Sequence, residues 1–82
     1  MQDPIQTLNV IREVVWALVG RKLRDDDPIL SSGLIDSLSI LKLIASLESK
    51  LGLKIPTAQV QPEDFDSVDY IRETIDRVAI WN

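Results

Sequence analysis

Between Asp36 and Gly52 the chain reads Asp36-Ser37-Leu38-Ser39-Ile40-Leu41-Lys42-Leu43-Ile44-Ala45-Ser46-Leu47-Glu48-Ser49-Lys50-Leu51-Gly52. Aspartate is a good N-cap and glycine a good helix end, so the run between them reads as one helix. Placed at about 100° per residue from Ser37, Ile40, Leu43, Ile44, Leu47 and Leu51 fall together as a core stripe. Ser39, Lys42, Ser46, Ser49 and Lys50 fill the opposite, solvated side. Leu38, Leu41 and Ala45 remain, outside the core stripe and beside Ser37 and Glu48, and form a second apolar strip. One helix with two apolar strips has one more than a small core needs.

Upstream, Asp3-Pro4 reads as a cap followed by proline at the first helical position. Ile5, Leu8, Ile11, Val15 and Leu18 then recur at helical spacing until Gly20. Trp16 lies off that stripe, where a neighbouring loop would cover it. From Arg21 to Ile35 no period survives, which predicts a long loop. Loops of this length in a compact domain serve function or close the core, so Leu30 and Leu34 are expected to be buried over the helices. Full burial would make truncation of either to alanine cost roughly 2 to 5 kcal/mol. Asp25-Asp26-Asp27 reads as a solvated turn.

Downstream, Leu53-Lys54-Ile55-Pro56 leaves the helix extended, because proline disfavours helical backbone at Ile55. Thr57 to Gln61 reads as loop, and Pro62-Glu63-Asp64-Phe65 as one short helical turn anchored by Phe65. Ser67 caps a last helix with the stripe Val68, Ile71, Ile75 and Val78. The fold expected is all-α: a small four-helix bundle of three longer helices and one short one, with a long loop between helices 1 and 2. Residues 1–82 are expected to form a single domain.

Composition narrows the chemistry. The 82 residues include no histidine and no cysteine. Serine–histidine and cysteine–histidine dyads, thiolate nucleophiles, disulfides and the usual zinc sites are therefore absent. No paired carboxylates share an apolar helix face, so an enzyme is not expected and no metal site is assigned. A net charge of −4 repels nucleic acid and anionic membranes. Met1-Gln2-Asp3-Pro4 lacks a basic leader, and no apolar run is long enough to span a membrane, which points to a cytoplasmic monomer.

The remaining focus is Ser37, in the first turn of a helix, where free N–H groups and the helix dipole favour an attached anion such as a phosphoryl group. Gly33-Leu34-Ile35-Asp36-Ser37-Leu38 resembles the Asp-Ser-Leu attachment motif of the acyl carrier protein superfamily. The likeness extends over nearly the whole chain: helix 1, the loop ending in Ser-Gly-Leu, the motif helix, the Gly-Leu-Lys-Ile-Pro exit, the acidic turn with Phe65, and a final helix opened by serine. Asp66-Ser67-Val68 repeats the Asp-Ser-apolar pattern, but N-capping accounts for Ser67 with nothing left over.

The resemblance implies a carrier domain with 4′-phosphopantetheine, taken from coenzyme A, esterified to Ser37. It gives Asp36 a supporting role in capping the helix and in holding the metal-bound phosphate during attachment. The thiol of the arm would carry an acyl or aminoacyl group as a thioester, in fatty acid or natural-product biosynthesis. Partners implied are a phosphopantetheinyl transferase, a loading ligase or adenylation enzyme, and downstream acyl-accepting enzymes. They would dock on Leu34, Ile35, Leu38, Leu41 and Ala45. Fatty acid synthesis carriers usually display several carboxylates on this helix. Here Glu48 stands against Lys42 and Lys50, so docking is expected to lean on apolar contacts, in a form closer to stand-alone aminoacyl, D-alanyl or peptidyl carriers. An unmodified helical module that binds partners through the same strip is the alternative.

Overall fold

A computed structural model describes residues 3–82, so the leader reading at Met1 and Gln2 lies outside the described residues. Three α-helices form: α1 over Pro4–Val19, α2 over Ser37–Leu51 and α3 over Val68–Val78. Each starts on a side-chain cap, which satisfies an N–H that the helix cannot. Asp3 accepts from the Ile5 N–H at 2.9 Å, Asp36 from Ser39 at 2.9 Å, and Ser67 from Tyr70 at 3.1 Å. Gly20 and Gly52 close α1 and α2 in the left-handed region, with φ of 82° and 67°. Glycine adopts that conformation without steric cost.

The core is built where the helical stripes converge. Ile11 and Val15 from α1, Leu43 and Leu47 from α2, Ile71 and Ile75 from α3, and Phe65 between α2 and α3 are all buried. The stripe of α1 runs through Thr7 at its start, while Ile5, expected to face inward, is exposed. Thr74, outside the expected stripe of α3, is buried too, and its hydroxyl donates to the Asp64 carbonyl at 3.1 Å.

Two departures from the expected architecture concern short elements. Pro62–Phe65 is a single 3-10 turn, and Thr57–Gln59, expected as loop, is another. The bundle therefore has three α-helices among the described residues and no fourth. Leu53–Lys54 (β1) and Ile80–Trp81 (β2) pair antiparallel, with Leu53 opposite Trp81 and Lys54 opposite Ile80. This two-stranded ribbon was not expected from the sequence, and a hydrogen bond from the Asn82 N–H to the Gly52 carbonyl, 3.1 Å, extends it.

The loop from α1 to α2 is fastened to the bundle, though by other residues than expected. Ile29 is fully buried and Ile35 nearly so, at 9% exposure, whereas Leu30 is half-buried and Leu34 is 38% exposed. The loop thus inserts the isoleucines that flank Leu30 and Leu34, and the large truncation cost belongs to Ile29. Trp16 does lie under the loop, its indole N–H donating to the Leu23 carbonyl at 3.1 Å.

Candidate functional site

The site assembles where the loop enters α2. Asp36 sits in extended backbone, φ −103° and ψ 175°, and its Oδ1 caps the Ser39 N–H. With Asp36 as the cap, Ser37 is the first helical residue, and its side chain is exposed. Of the first-turn N–H groups that of Ser39 is taken by Asp36, through its Oδ1 and, at 3.1 Å, its carbonyl, while those ahead of it have no helical carbonyl one turn earlier, and the helix dipole adds positive potential there. No acidic residue lies within that first turn. An exposed hydroxyl at this place suits a phosphodiester: the oxygen is reachable, and the N–H groups and dipole favour the charge that attachment brings.

The Asp36 carboxyl is held below the usual carboxylate range, first by the Ser39 N–H and then by the Ser39 hydroxyl. It is therefore ionised at neutral pH, the state in which an aspartate caps best.

Around Ser37 lies the second apolar strip. Leu38 is 74% exposed, Leu41 is 62% exposed, and Ala45 is exposed beside them, with Leu34 at the loop end. Nothing from the loop covers the strip. Ile35 departs from the expected docking set, because its side chain turns into the core. Glu48 departs from its expected role as well. It is half-buried, and its Oε2 accepts from the Ile55 N–H at 2.9 Å, which fixes the exit from α2. The exposed charges on the body of α2 are consequently those of Lys42 and Lys50.

The carboxylates of the loop and of the α3 start are structural. The Arg12 guanidinium holds Asp25 through two parallel bonds of 2.9 and 2.7 Å. Asp27 accepts from the Arg24 N–H at 2.8 Å, and Asp26 pairs with the Arg24 guanidinium at 3.2 Å. The expected solvated turn is thus tied to α1 at its first residue. Ser67 is 3% exposed and caps α3, so its hydroxyl faces the interior. The sequence shows Asp66 only as the residue before a simple cap, yet its carboxylate reaches back to the loop and accepts from the Leu30 and Ser31 N–H groups.

These contacts set the acid response. Hydrogen bonding to Arg12 lowers the Asp25 carboxyl, opposed by its partial burial. For Asp66 partial burial pushes upward, but the N–H and hydroxyl of Ser31 and the N–H groups of Leu30 and Ile29 outweigh it, leaving the group lowered. Carboxyls lower in the folded than in the unfolded chain stabilise the fold above the unfolded value, and that contribution fades as the pH falls through the folded one. Urea midpoints should therefore stay level from neutral pH to about 5 and fall below about 4. A midpoint that rises on acidification would contradict these assignments.

Comparison with known proteins adds the family context. The family model described as phosphopantetheine attachment site matches residues 9–75. A D-alanyl carrier protein of Streptococcus suis (strain 98HAH33) is 30% identical over 64 residues, covering 78% of each chain. A D-alanyl carrier protein of Leuconostoc citreum (strain KM20) is 30% identical over 57 residues, 67% of this chain and 73% of its own. No helix among the described residues is long and apolar enough to cross a membrane.

Proposed function

From the premise that the chain belongs to the phosphopantetheine attachment-site family, as a carrier protein of the acyl carrier superfamily with covalent 4′-phosphopantetheine, we propose that Ser37 is the attachment residue. The observation that carries this is the exposed Ser37 hydroxyl at the first position of α2, directly after the Asp36 cap and beside an uncovered apolar strip. The Ser37 hydroxyl, its proton taken by a base of the transferase, attacks the coenzyme A phosphorus that bears the pantetheine arm; the Ser37 O–P bond forms as the pyrophosphate P–O bond breaks and adenosine 3′,5′-bisphosphate leaves. Asp36 keeps the first turn of α2 closed and helps hold the metal-bound phosphate during attachment. When bound, the group supplies a terminal thiol that carries cargo as a thioester, the sulfur that this cysteine-free chain lacks.

The carrier role implies modifying and loading enzymes as partners. We place their contact on Leu34, Leu38, Leu41 and Ala45, which are exposed together around Ser37. The names of the D-alanyl relatives and the lack of free carboxylates on the body of α2 favour an aminoacyl cargo over a fatty acyl one. On this reading residues 1–82 form one carrier unit without catalysis of its own, acting in the cytoplasm between a loading ligase and an acceptor enzyme.

The test is co-expression with a broad-specificity phosphopantetheinyl transferase, followed by intact-mass measurement and fragment mapping. The expected result is a gain of one phosphopantetheine, located on Ser37. No gain, or a gain at another residue, would refute the assignment and favour the unmodified interaction module.

A further inference from the structure

The Asp66 carboxylate makes its contacts 35 and 36 residues earlier in the chain. Its Oδ1 accepts from the N–H groups of Leu30, 2.7 Å, and Ser31, 2.9 Å, and its Oδ2 accepts from the Ser31 hydroxyl at 2.8 Å. The Asp66 carbonyl accepts from the Ile29 N–H at 2.7 Å. None of this serves the start of α3, because the Ser67 hydroxyl supplies that cap. The Ile29 carbonyl in turn accepts from the Ile35 N–H at 3.0 Å, which closes residues 29–35 into a ring that ends at Asp36 and Ser37. The first half of the loop has a separate anchor: the Arg12–Asp25 pair, and the Asp69 N–H donating to the Asp25 carbonyl at 3.0 Å. Asp66 thus fastens the half that leads into α2.

We infer that Asp66 is a positioning residue for the modification of Ser37: its carboxylate latches residues 29–31, and through the closed ring sets Leu34 and the Asp36-Ser37 turn where the modifying enzyme meets them. This rests on the reading of Ser37 as attachment residue. The latch is part-buried at Leu30 and exposed at Ser31, and exposed Leu34 lies on the ring itself. Releasing the latch leaves the three helical caps intact, so it loosens the approach to Ser37 without removing the hydroxyl or its helix. An enzyme that binds the loop and α2 together then binds a less ordered surface, which weakens binding and leaves the chemical step unchanged once bound.

The experiment compares the parent with Asp66→Ala, Asp66→Asn and Ser31→Ala. Amide exchange at Leu30 and Ser31 is measured on the unmodified proteins, and modification is then followed with a broad-specificity phosphopantetheinyl transferase and coenzyme A. Asp66→Ala should speed exchange at both amides by about tenfold or more and raise KM for the carrier by about tenfold, with kcat within about twofold. Asp66→Asn keeps an acceptor at Oδ1, and its amide can donate to the Ser31 hydroxyl, so it should restore most of both properties. A folded Asp66→Ala protein with parental KM overturns the inference, and so does an Asn variant that behaves as the Ala one. If Asp66→Ala does not fold, Ser31→Ala, which removes a single exposed contact, should raise KM by about threefold, and a parental KM there overturns the inference instead. A parent with protected amides that takes no phosphopantetheine refutes the Ser37 reading, whereas equal KM in a modified parent and Asp66→Ala refutes the positioning role alone.

Discussion

Ser37→Ala should fold as the parent does and gain no mass with transferase and coenzyme A, a complete loss of modification. Asp36 supplies the cap of α2, so the serine hydroxyl is not needed for the helix, and alanine is a good helix former at an exposed first-turn position. Ser67→Ala is the matched control. It removes the cap of α3 from a buried position, at a cost of about 1 kcal/mol, yet should still accept one phosphopantetheine. The two serines follow an aspartate and precede an apolar residue alike, but only one hydroxyl faces solvent. Intact mass and far-ultraviolet circular dichroism on both variants check this. If the folded Ser67 variant were the one that stayed unmodified, the attachment site would have been misplaced.

Leu47→Gln should lose roughly 3 to 5 kcal/mol of stability, while Leu41→Gln should melt within about 0.5 kcal/mol of the parent. Leu47 is fully buried, so glutamine there gives up leucine packing and leaves an amide without partners. Against a typical total of about 5 to 10 kcal/mol, that change removes much of the folded population. Leu41 is mostly exposed, and glutamine keeps its length. Leu41→Gln should instead raise KM for the transferase several-fold, since the strip loses an apolar contact that a partner would desolvate. Urea melts and modification kinetics at low and high salt separate the cases. Equal destabilisation by both substitutions would place Leu41 in the core. A steep salt dependence in the parent would show that charge rather than the apolar strip governs recognition.

The helices were legible because each carries two redundant signals, a periodic stripe and a terminal cap, and both appear in the side chains. Asp36, Ser67, Gly20 and Gly52 mark boundaries that the structure keeps. The surplus strip of α2 was legible for the same reason, as Leu38, Leu41 and Ala45 fall outside the core stripe, and the structure leaves them exposed. Tertiary choices between neighbours were not legible. Ile29 and Leu30, or Leu34 and Ile35, are equally apolar, and which of each pair turns inward depends on where Asp66 and Ile35 anchor the backbone. The ribbon of β1 and β2 was hidden because two-residue strands show no period. Glu48 and Asp66 looked like ordinary surface acids, and their roles rest on backbone N–H groups that come close only when the chain folds.

The ribbon fixes the spatial polarity of the molecule. By pairing Trp81 with Leu53 and Asn82 with Gly52, it holds residues 80–82 at the far end of α2 from Ser37. Fifteen helical residues separate the two ends of α2, which at the usual rise per residue is about 20 Å. A support or fusion partner joined after Asn82 would therefore hold the protein like a post, with Ser37 on the outward end and the intervening helix as a rigid spacer. Immobilised arrays made this way should stay open to soluble enzymes, whereas attachment through the loop that carries Leu34 would turn Ser37 toward the support.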